Sequence, residues 1–161
     1  MKKVSNAVLF LAVLCFFTNT ASAQESLEAS KKAVVAVIQQ MFEGMKAGDS
    51  AKARKAFHPS ASLHTSSMRN GKPQFRTEAI DEFMKAIAAP KPAGTIYDER
   101  ILRYDVQIDD GLATVWTPYQ FFIGEKFSHC GVNAFHCVRT EDGWKITHIT
   151  DTRRKEPCVE K

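Results

Sequence analysis

The stretch WTPYQFFIGEKFSHCGVNAFHCVR at residues 116–139, followed by DGWKITHITDTRR at residues 142–154, decides how this chain folds. Both are rich in aromatic and β-branched residues, which fit the pleated surface of a sheet. Both are punctuated by turn formers: Gly124-Glu125 inside the first, and Thr140 to Gly143 ahead of the second. They predict a strand from Leu112 to Ile123, a second ending at Thr140, and a third from Trp144 to Arg153. Upstream, Val106 and Ile108 alternate with polar residues into Asp109-Asp110-Gly111, a further hairpin turn, so four antiparallel strands follow one another. If the two later turns are tight, Ile123 faces Lys126 and Thr140 faces Gly143, and side chains counted outward alternate between two faces. One face carries Trp116, Gln120, His129, Asn133, Phe135, Cys137, Ile146 and His148; the other carries Val115, Tyr119, Cys130, Val132, Ile149, Asp151 and Arg153. A bulge at Gly131 or near Pro118 would exchange parts of these sets.

The first half of the chain is helical. Leu27, Val34, Ile38, Met41, Phe42 and Met45 recur at spacings of three and four, an apolar stripe on a helix from Ser26 to about Ala47 that Gly48 ends. Asp49 is placed to cap a short helix through Ala51 to Phe57, which stops before Pro59. Ala61, Leu63 and Thr65 then alternate as a short strand. Thr77 is placed to cap a third helix with Ile80, Phe83, Met84 and Ile87 on one side and Pro90 past its end.

With 161 residues, 44% hydrophobic and 25% charged, the chain has the composition of a globular protein and the length of one domain. Its beginning has the three parts of a cleavable export signal: Lys2 and Lys3, an apolar run from Ala7 to Phe17, and Ala21-Ser22-Ala23 before Gln24. The run is too short for a bilayer span of about 20 residues, so no stable membrane anchor is expected. Residues 1–23 are therefore assigned to a signal peptide and 24–161 to a single domain, periplasmic or secreted after cleavage near Ala23. Loss of Lys2 and Lys3 leaves 20 Lys and Arg against 18 Asp and Glu, lowering the formal net charge from +4 to +2. So weak an excess argues against a nucleic-acid partner, and the short run Arg153-Arg154-Lys155 reads as an exposed strand end.

Together these residues carry a resemblance. A long helix ended by Gly48-Asp49, a short helix into Phe57-His58-Pro59, a third helix and a curved meander closing on Gly143-Trp144-Lys145-Ile146 resemble the nuclear-transport-factor-2-like superfamily. The two quoted stretches resemble its exported bacterial branch, labelled "putative lumazine-binding" or polyketide-cyclase-like, over about residues 30 to 158. The resemblance implies an α+β fold: a cone-shaped, curved antiparallel sheet wrapped around the long N-terminal helix and two shorter helices. It also implies a pocket between sheet and helices, in a superfamily that includes isomerases, dehydratases, cyclases, carriers and association domains, so fold alone does not settle function.

Export would place Cys130, Cys137 and Cys158 where disulfides persist. Cys130 and Cys137 lie in one strand about 23 Å apart, whereas a bridge needs Cα atoms within about 7 Å. Cys130 falls opposite Arg153 with Cys158 close behind, so a Cys130–Cys158 bridge is expected, the alternative being three free thiols. Cys137, opposite Ile146, reads as a buried apolar thiol. No metal site is expected, because His129-Cys130 and His136-Cys137 point neighbouring side chains to opposite faces and no CxxC or HxxxH pair occurs. Phosphate loops, dinucleotide fingerprints and nucleophile elbows are absent as well, and no cofactor is expected.

There remain His129, Gln120, Asn133 and His148 beside Trp116 and Phe135, with Phe42 reaching over from the first helix and Tyr119 nearby. That is the profile of a mostly apolar small-molecule pocket for an apolar or aromatic ligand. His129 is the candidate general acid or base, since a histidine titrates near neutrality. No carboxylate is placed beside it: Asp151 falls on the other face, Glu43 is on the first helix, and Asp105 depends on a bulge. Three readings follow: an exported binding protein without turnover; a lyase or isomerase in which His129 moves a proton while Asn133 or Tyr119 stabilises an enolate oxygen; and an association domain. A homodimer through the outer sheet face, with Val115, Tyr119 and Phe121 as its apolar patch, is expected in any case. The first expected outcome concerns export: the native protein begins at Gln24, and N-terminal sequencing that returns an intact Met1 refutes it.

Overall fold

The computed structural model describes residues 7–93, 95–156 and 158, so Lys2 and Lys3 of the expected export segment lie outside the described residues. Helix α1 spans Ala7–Ala47, α2 Ser50–Arg54 and α3 Ile80–Ala88. The strands are β1 Phe57–Arg69, β2 Lys72–Ala79, β3 Tyr97–Ile101, β4 Asp105–Asp109, β5 Leu112–Ile123, β6 Lys126–Thr140 and β7 Gly143–Arg153. They form one sheet in the order β2-β1-β7-β6-β5-β3, with β4 also paired to β5. The fold is the expected α+β cone. Its sheet is antiparallel except where β1 runs parallel to β7.

Local chemistry explains the helical half. Gly48, at φ +70°, takes the left-handed conformation that stops α1. Asp49 then caps α2, its Oδ1 accepting from the Lys52 amide at 2.8 Å. Val34, Ile38, Met41 and Met45 of α1 are buried, as the stripe predicts, and pack with Ile80, Met84 and Ile87 of α3 in the same core as Phe135, Ile146 and Ile149 of the sheet.

Two expectations for this half are corrected. Phe57 does not end α2 but opens β1, and the short strand at Ala61–Thr65 is the middle of a long hairpin arm. Thr77 caps no helix: it lies in β2, where its hydroxyl meets His64 Nδ1 at 3.0 Å, and α3 starts after Ala79 without a side-chain cap. The signal that decides this is Asn70-Gly71, with φ +52° and +73°, a dipeptide suited to a two-residue hairpin turn between Arg69 and Lys72. Once β1 and β2 pair across it, Thr77 is held by the ladder opposite His64.

In the meander the turns fall as read, and Ile123 faces Lys126 while Thr140 faces Gly143. Two bulges then shift the counting, at neither of the places expected. Between Phe121 and Phe122 of β5 the partner strand advances from Phe127 to His129, leaving Ser128 extra. Between His136 and Cys137 the partners in β7 are His148 and Ile146, leaving Thr147 extra, and its hydroxyl donates to the His136 carbonyl at 3.1 Å. Each extra residue reverses the face of what lies beyond it. Pro118 is not at a bulge. Its carbonyl accepts from the Leu102 amide at 2.9 Å, so its missing N–H falls at the gap between β3 and β4, where no ladder partner needs it.

Gly131 pairs in register with Tyr119, also without a bulge. A Cβ there would stand 1.8 Å from the Thr152 carbonyl oxygen and 2.8 Å from Tyr119 Oη, so only glycine lets β7 close over β6 at this point. Cys130 and Cys158 are bridged, as expected, and Cys137 is free and buried, its thiol pushed up to about 12 by burial. Gly131→Ala is expected to cost on the order of 3 kcal/mol by forcing the strands apart. Urea unfolding checks this, and an unchanged midpoint would show that β7 approaches less closely than described.

Candidate functional site

The reversed faces gather the site. On β5 the odd residues face inward, so Thr117, Tyr119 and Phe121 stand beside Asn133 and His129 of β6. Across the Thr147 bulge, Ile149, Asp151 and Arg153 of β7 also turn inward. β3 adds Tyr97 and Glu99, the latter directly opposite Phe121. These strands, with α1 and α3, enclose a cavity of about 270 Å³, near the lower end of the ~300–1,000 Å³ range of small-molecule sites. Met41, Phe42, Met45, Phe83 and Ile87 make its helical wall, and the Phe42 ring meets Phe135 edge-on at 6.1 Å.

Of the residues singled out from the sequence, Phe42, Tyr119, His129, Asn133 and Phe135 line the cavity. Trp116, Gln120 and His148 do not, and each is displaced by one of the bulges. Trp116 is 50% exposed on the outer face, opposite Ala134. Gln120 lies between Arg100 and Cys130, away from the cavity. His148 sits between His64 and His136, its Nδ1 3.0 Å from Ser62 Oγ and its Nε2 2.8 Å from Thr150 Oγ1. Its basicity is lowered by burial and by the two neighbouring histidines. The apolar patch expected outside moves the other way: Val115 and Tyr119 are buried and Phe121 lines the cavity.

Carboxylates occupy the site after all. Asp151 is buried and held from three sides: by Thr65 Oγ1 at 2.5 Å, Arg153 Nε at 2.7 Å and Tyr119 Oη at 3.4 Å. Tyr119 Oη also donates to the Thr152 carbonyl at 2.9 Å, and burial, reinforced by Glu99 and Asp151, pushes its ionisation well above the usual range. Glu99 is different, because among the described residues its carboxyl accepts only from Asn133 Nδ2, at 2.7 Å, while Asn133 also reaches Thr117 Oγ1 at 3.3 Å. Burial raises Glu99 to about 7, the Asn133 hydrogen bond opposing that shift and Asp151 adding to it. His129, half-buried, has its basicity lowered by burial first and then by Arg153. Its Nδ1 lies 3.0 Å from Ser128 Oγ, and its ring packs against Phe121 and Tyr119 at 5.0 and 5.8 Å. Glu43 and Asp105 are surface groups paired with Lys52 and Arg103. Among the described residues no group of three His, Cys, Asp or Glu could hold a metal ion.

Glu99 is the residue that sequence reasoning missed. The signal was present: in Tyr97-Asp-Glu-Arg-Ile101 the alternation puts Glu99 on one face with Tyr97 and Ile101, a carboxylate set between two apolar neighbours.

A family model described as "Putative lumazine-binding" matches residues 29–149. The chain belongs to this family. The matched stretch of this family member runs from α1 into β7 and so includes Glu99, Tyr119, His129 and Asn133. No curated protein matches the sequence. Among solved structures, an NTF2-like protein with a cystatin-like fold from Novosphingobium aromaticivorans is similar at a TM-score of 0.66 and 14% identity, covering 87% of this chain and 91% of its own. A "putative dehydratase" of the NTF2-like family from Streptomyces avermitilis follows at 0.57 and 16%, covering 78% and 96%. A "putative ketosteroid isomerase" from Shewanella frigidimarina stands at 0.54 and 21%, covering 74% and 94%. At these identities the likeness establishes the fold of the family member, not its chemistry.

The raised Glu99 makes a stability prediction. A carboxyl that keeps its proton to about 7 when folded, but releases it near 4.3 when unfolded, favours the folded state at low pH. That contribution fades as pH rises from the unfolded value and is gone above about 7. Glu99→Gln, which keeps the Asn133 contact without the charge, is expected to stabilise the protein by about 2–3 kcal/mol at pH 8 and to change little at pH 4. Thermal unfolding at both pH values checks this, and equal melting temperatures for parent and variant at pH 8 would show a carboxyl that ionises without penalty.

Proposed function

We propose that this protein binds a small, largely apolar or aromatic molecule in the cone cavity, outside the cytoplasm and without turning it over. The observation that carries the reading is the cavity's make-up: an apolar wall from α1 and α3 facing a compact polar set of Glu99, Asn133, Tyr119, Asp151 and His129. The family description and the small-molecule enzymes named among the solved structures lean the same way. Export is supported by the signal-like residues 1–23 and by the Cys130–Cys158 bridge, a bond that persists in oxidising compartments. Among the described residues no helix is long and apolar enough to cross a membrane. The homodimer is proposed through the outer sheet face, where Trp116, Leu112 and Phe75 are exposed.

Glu99 favours a second reading, a lyase or isomerase. A carboxylate near neutrality can take a proton from carbon and return it, while Tyr119 or Asn133 donates to the developing enolate oxygen. In that reading Glu99 replaces His129 as the base, because burial and Arg153 lower the basicity of His129 and no carboxylate is hydrogen-bonded to it among the described residues.

Native mass spectrometry before and after exposure to a metabolite extract tests the first reading. Expected is a small added mass that leaves on denaturation unchanged, and a ligand recovered as a different compound moves the conclusion to the enzyme. Absence of any added mass, with no thermal shift in the same extract, overturns both. His129→Ala is expected to cost only about 1 kcal/mol, since its ring is half-buried and its one side-chain hydrogen bond among the described residues is to the adjacent Ser128 hydroxyl, while weakening the thermal response to ligand. A large fall in melting temperature with an unchanged ligand response would make His129 structural.

A further inference from the structure

We infer that the cavity's ligand is an organic monocation, a single-ring compound carrying a protonated or quaternary amine whose charge sits against Glu99. This rests on the small-ligand reading above and deepens it.

The charges around the cavity leave one vacancy of sign. Arg153 is bound to Asp151 at 2.7 Å, and Arg76 at the cavity's edge is bound to Glu78 at 3.1 Å. Arg100, next in the chain, and Lys46 of α1 both pair with Asp98 on the opposite face of β3, Arg103 pairs with Asp105, and Lys91 donates to the Ile87 carbonyl with its ammonium over the Tyr97 ring. Glu99 therefore makes no ion pair among the described residues: it accepts from the Asn133 amide, and Arg153, held on Asp151, acts on it only as a charge nearby. With Glu99 ionised, the inward set of Glu99, Asp151 and Arg153 carries a net charge of −1, which a monocation balances and an anion worsens.

The surroundings suit such a guest. Phe121 stands directly opposite Glu99, with the Tyr97 ring 5.8 Å and the His129 ring 5.0 Å from it. Aromatic faces attract a cation through the ring quadrupole, and the attraction strengthens when water is excluded. Facing Glu99 from the other elements are Tyr119 on β5, Asn133 and His129 on β6, Asp151 and Arg153 on β7, and Tyr104 beyond β3, while α1 and α3 contribute Phe42, Met45 and Phe83. A volume of about 270 Å³ admits one ring and its substituent.

Because Glu99 holds its proton until about 7, a cation must displace that proton. Affinity should therefore rise about tenfold per pH unit up to that value and level off above it.

The test is a titration of the isotope-labelled protein with benzylammonium, benzyl alcohol and benzoate, three probes of one size and three charges, at pH 5.5 and pH 8, read by backbone amide shifts. Expected is benzylammonium moving the resonances around Glu99, Phe121 and Asn133, binding at least about tenfold tighter than benzyl alcohol at pH 8 and losing that margin at pH 5.5 or in Glu99→Gln. Benzyl alcohol or benzoate binding as tightly overturns the monocation while sparing the small-ligand reading. A preference that survives in Glu99→Gln also overturns it, by placing the charge elsewhere. If none of the probes moves a cavity resonance, both readings fall. Should Glu99→Gln not fold, the comparison among the three probes on the parent protein still decides.

Discussion

A strand has only two faces, and one inserted residue reverses the assignment of every side chain beyond it. In this protein two inserted residues, Ser128 in β6 and Thr147 in β7, determine what the cavity contains. Without the first, β5 would present Trp116 and Gln120 to the interior in place of Thr117, Tyr119 and Phe121. Without the second, His148 would enter and Asp151 would leave. At each bulge a polar side chain takes up part of the hydrogen bonding that the interrupted ladder gives up, Lys155 Nζ donating to the Ser128 carbonyl and Thr147 Oγ1 to the His136 carbonyl.

The interior so assembled holds two carboxyl groups under different terms. Asp151 is surrounded by three donors, one of them cationic, so its charge is compensated in place. Glu99 lies on β3 at the edge of the sheet, with one amide donor and aromatic rings around it, where burial outweighs hydrogen bonding and the proton is retained to about 7. A packed core has no use for such a group, since an apolar residue there would cost nothing in desolvation. Its presence without an ion pair, facing an apolar helical wall, is the mark of a site maintained against stability, a common relation between function and folding.

The fold was legible because it is written in local chemistry: the 3.6-residue stripe of α1, the Gly48-Asp49 stop and cap, and turns at Asp110-Gly111, Gly124-Glu125 and Gly143 all fall where the residues place them. The site was half legible, for a physical reason. Turns fix register only until the first bulge, and neither Ser128 nor Thr147 has a composition that distinguishes a bulge from regular strand. Residues judged by pairing alone therefore erred by face, with Trp116, Gln120 and His148 expected inside and Asp151 and Arg153 outside. Asn133 and Phe135 stand on the face that pairing assigns them because both lie between the two bulges, on the part of β6 that remained one set. Thr77 failed for a different reason, since capping chemistry and strand pairing competed for one residue and the Asn70-Gly71 hairpin settled it.

The disulfide links these levels. Cys130 and Arg154 exchange both backbone hydrogen bonds at 2.9 Å, and the bridge to Cys158 fastens the chain just beyond that pair. Closing a span of 28 residues removes enough freedom from the unfolded chain to favour the fold by about 3–4 kcal/mol in the chain-entropy model. The position matters as much as the magnitude. Cys130 lies between His129 and Gly131, and the strand end it secures carries Asp151 and Arg153, whose ion pair leaves Glu99 alone with its amide. Fastening the end of β7 to β6 holds Arg153 on Asp151, so the bond that an oxidising compartment permits also leaves the Glu99 carboxyl without an ion pair among the described residues.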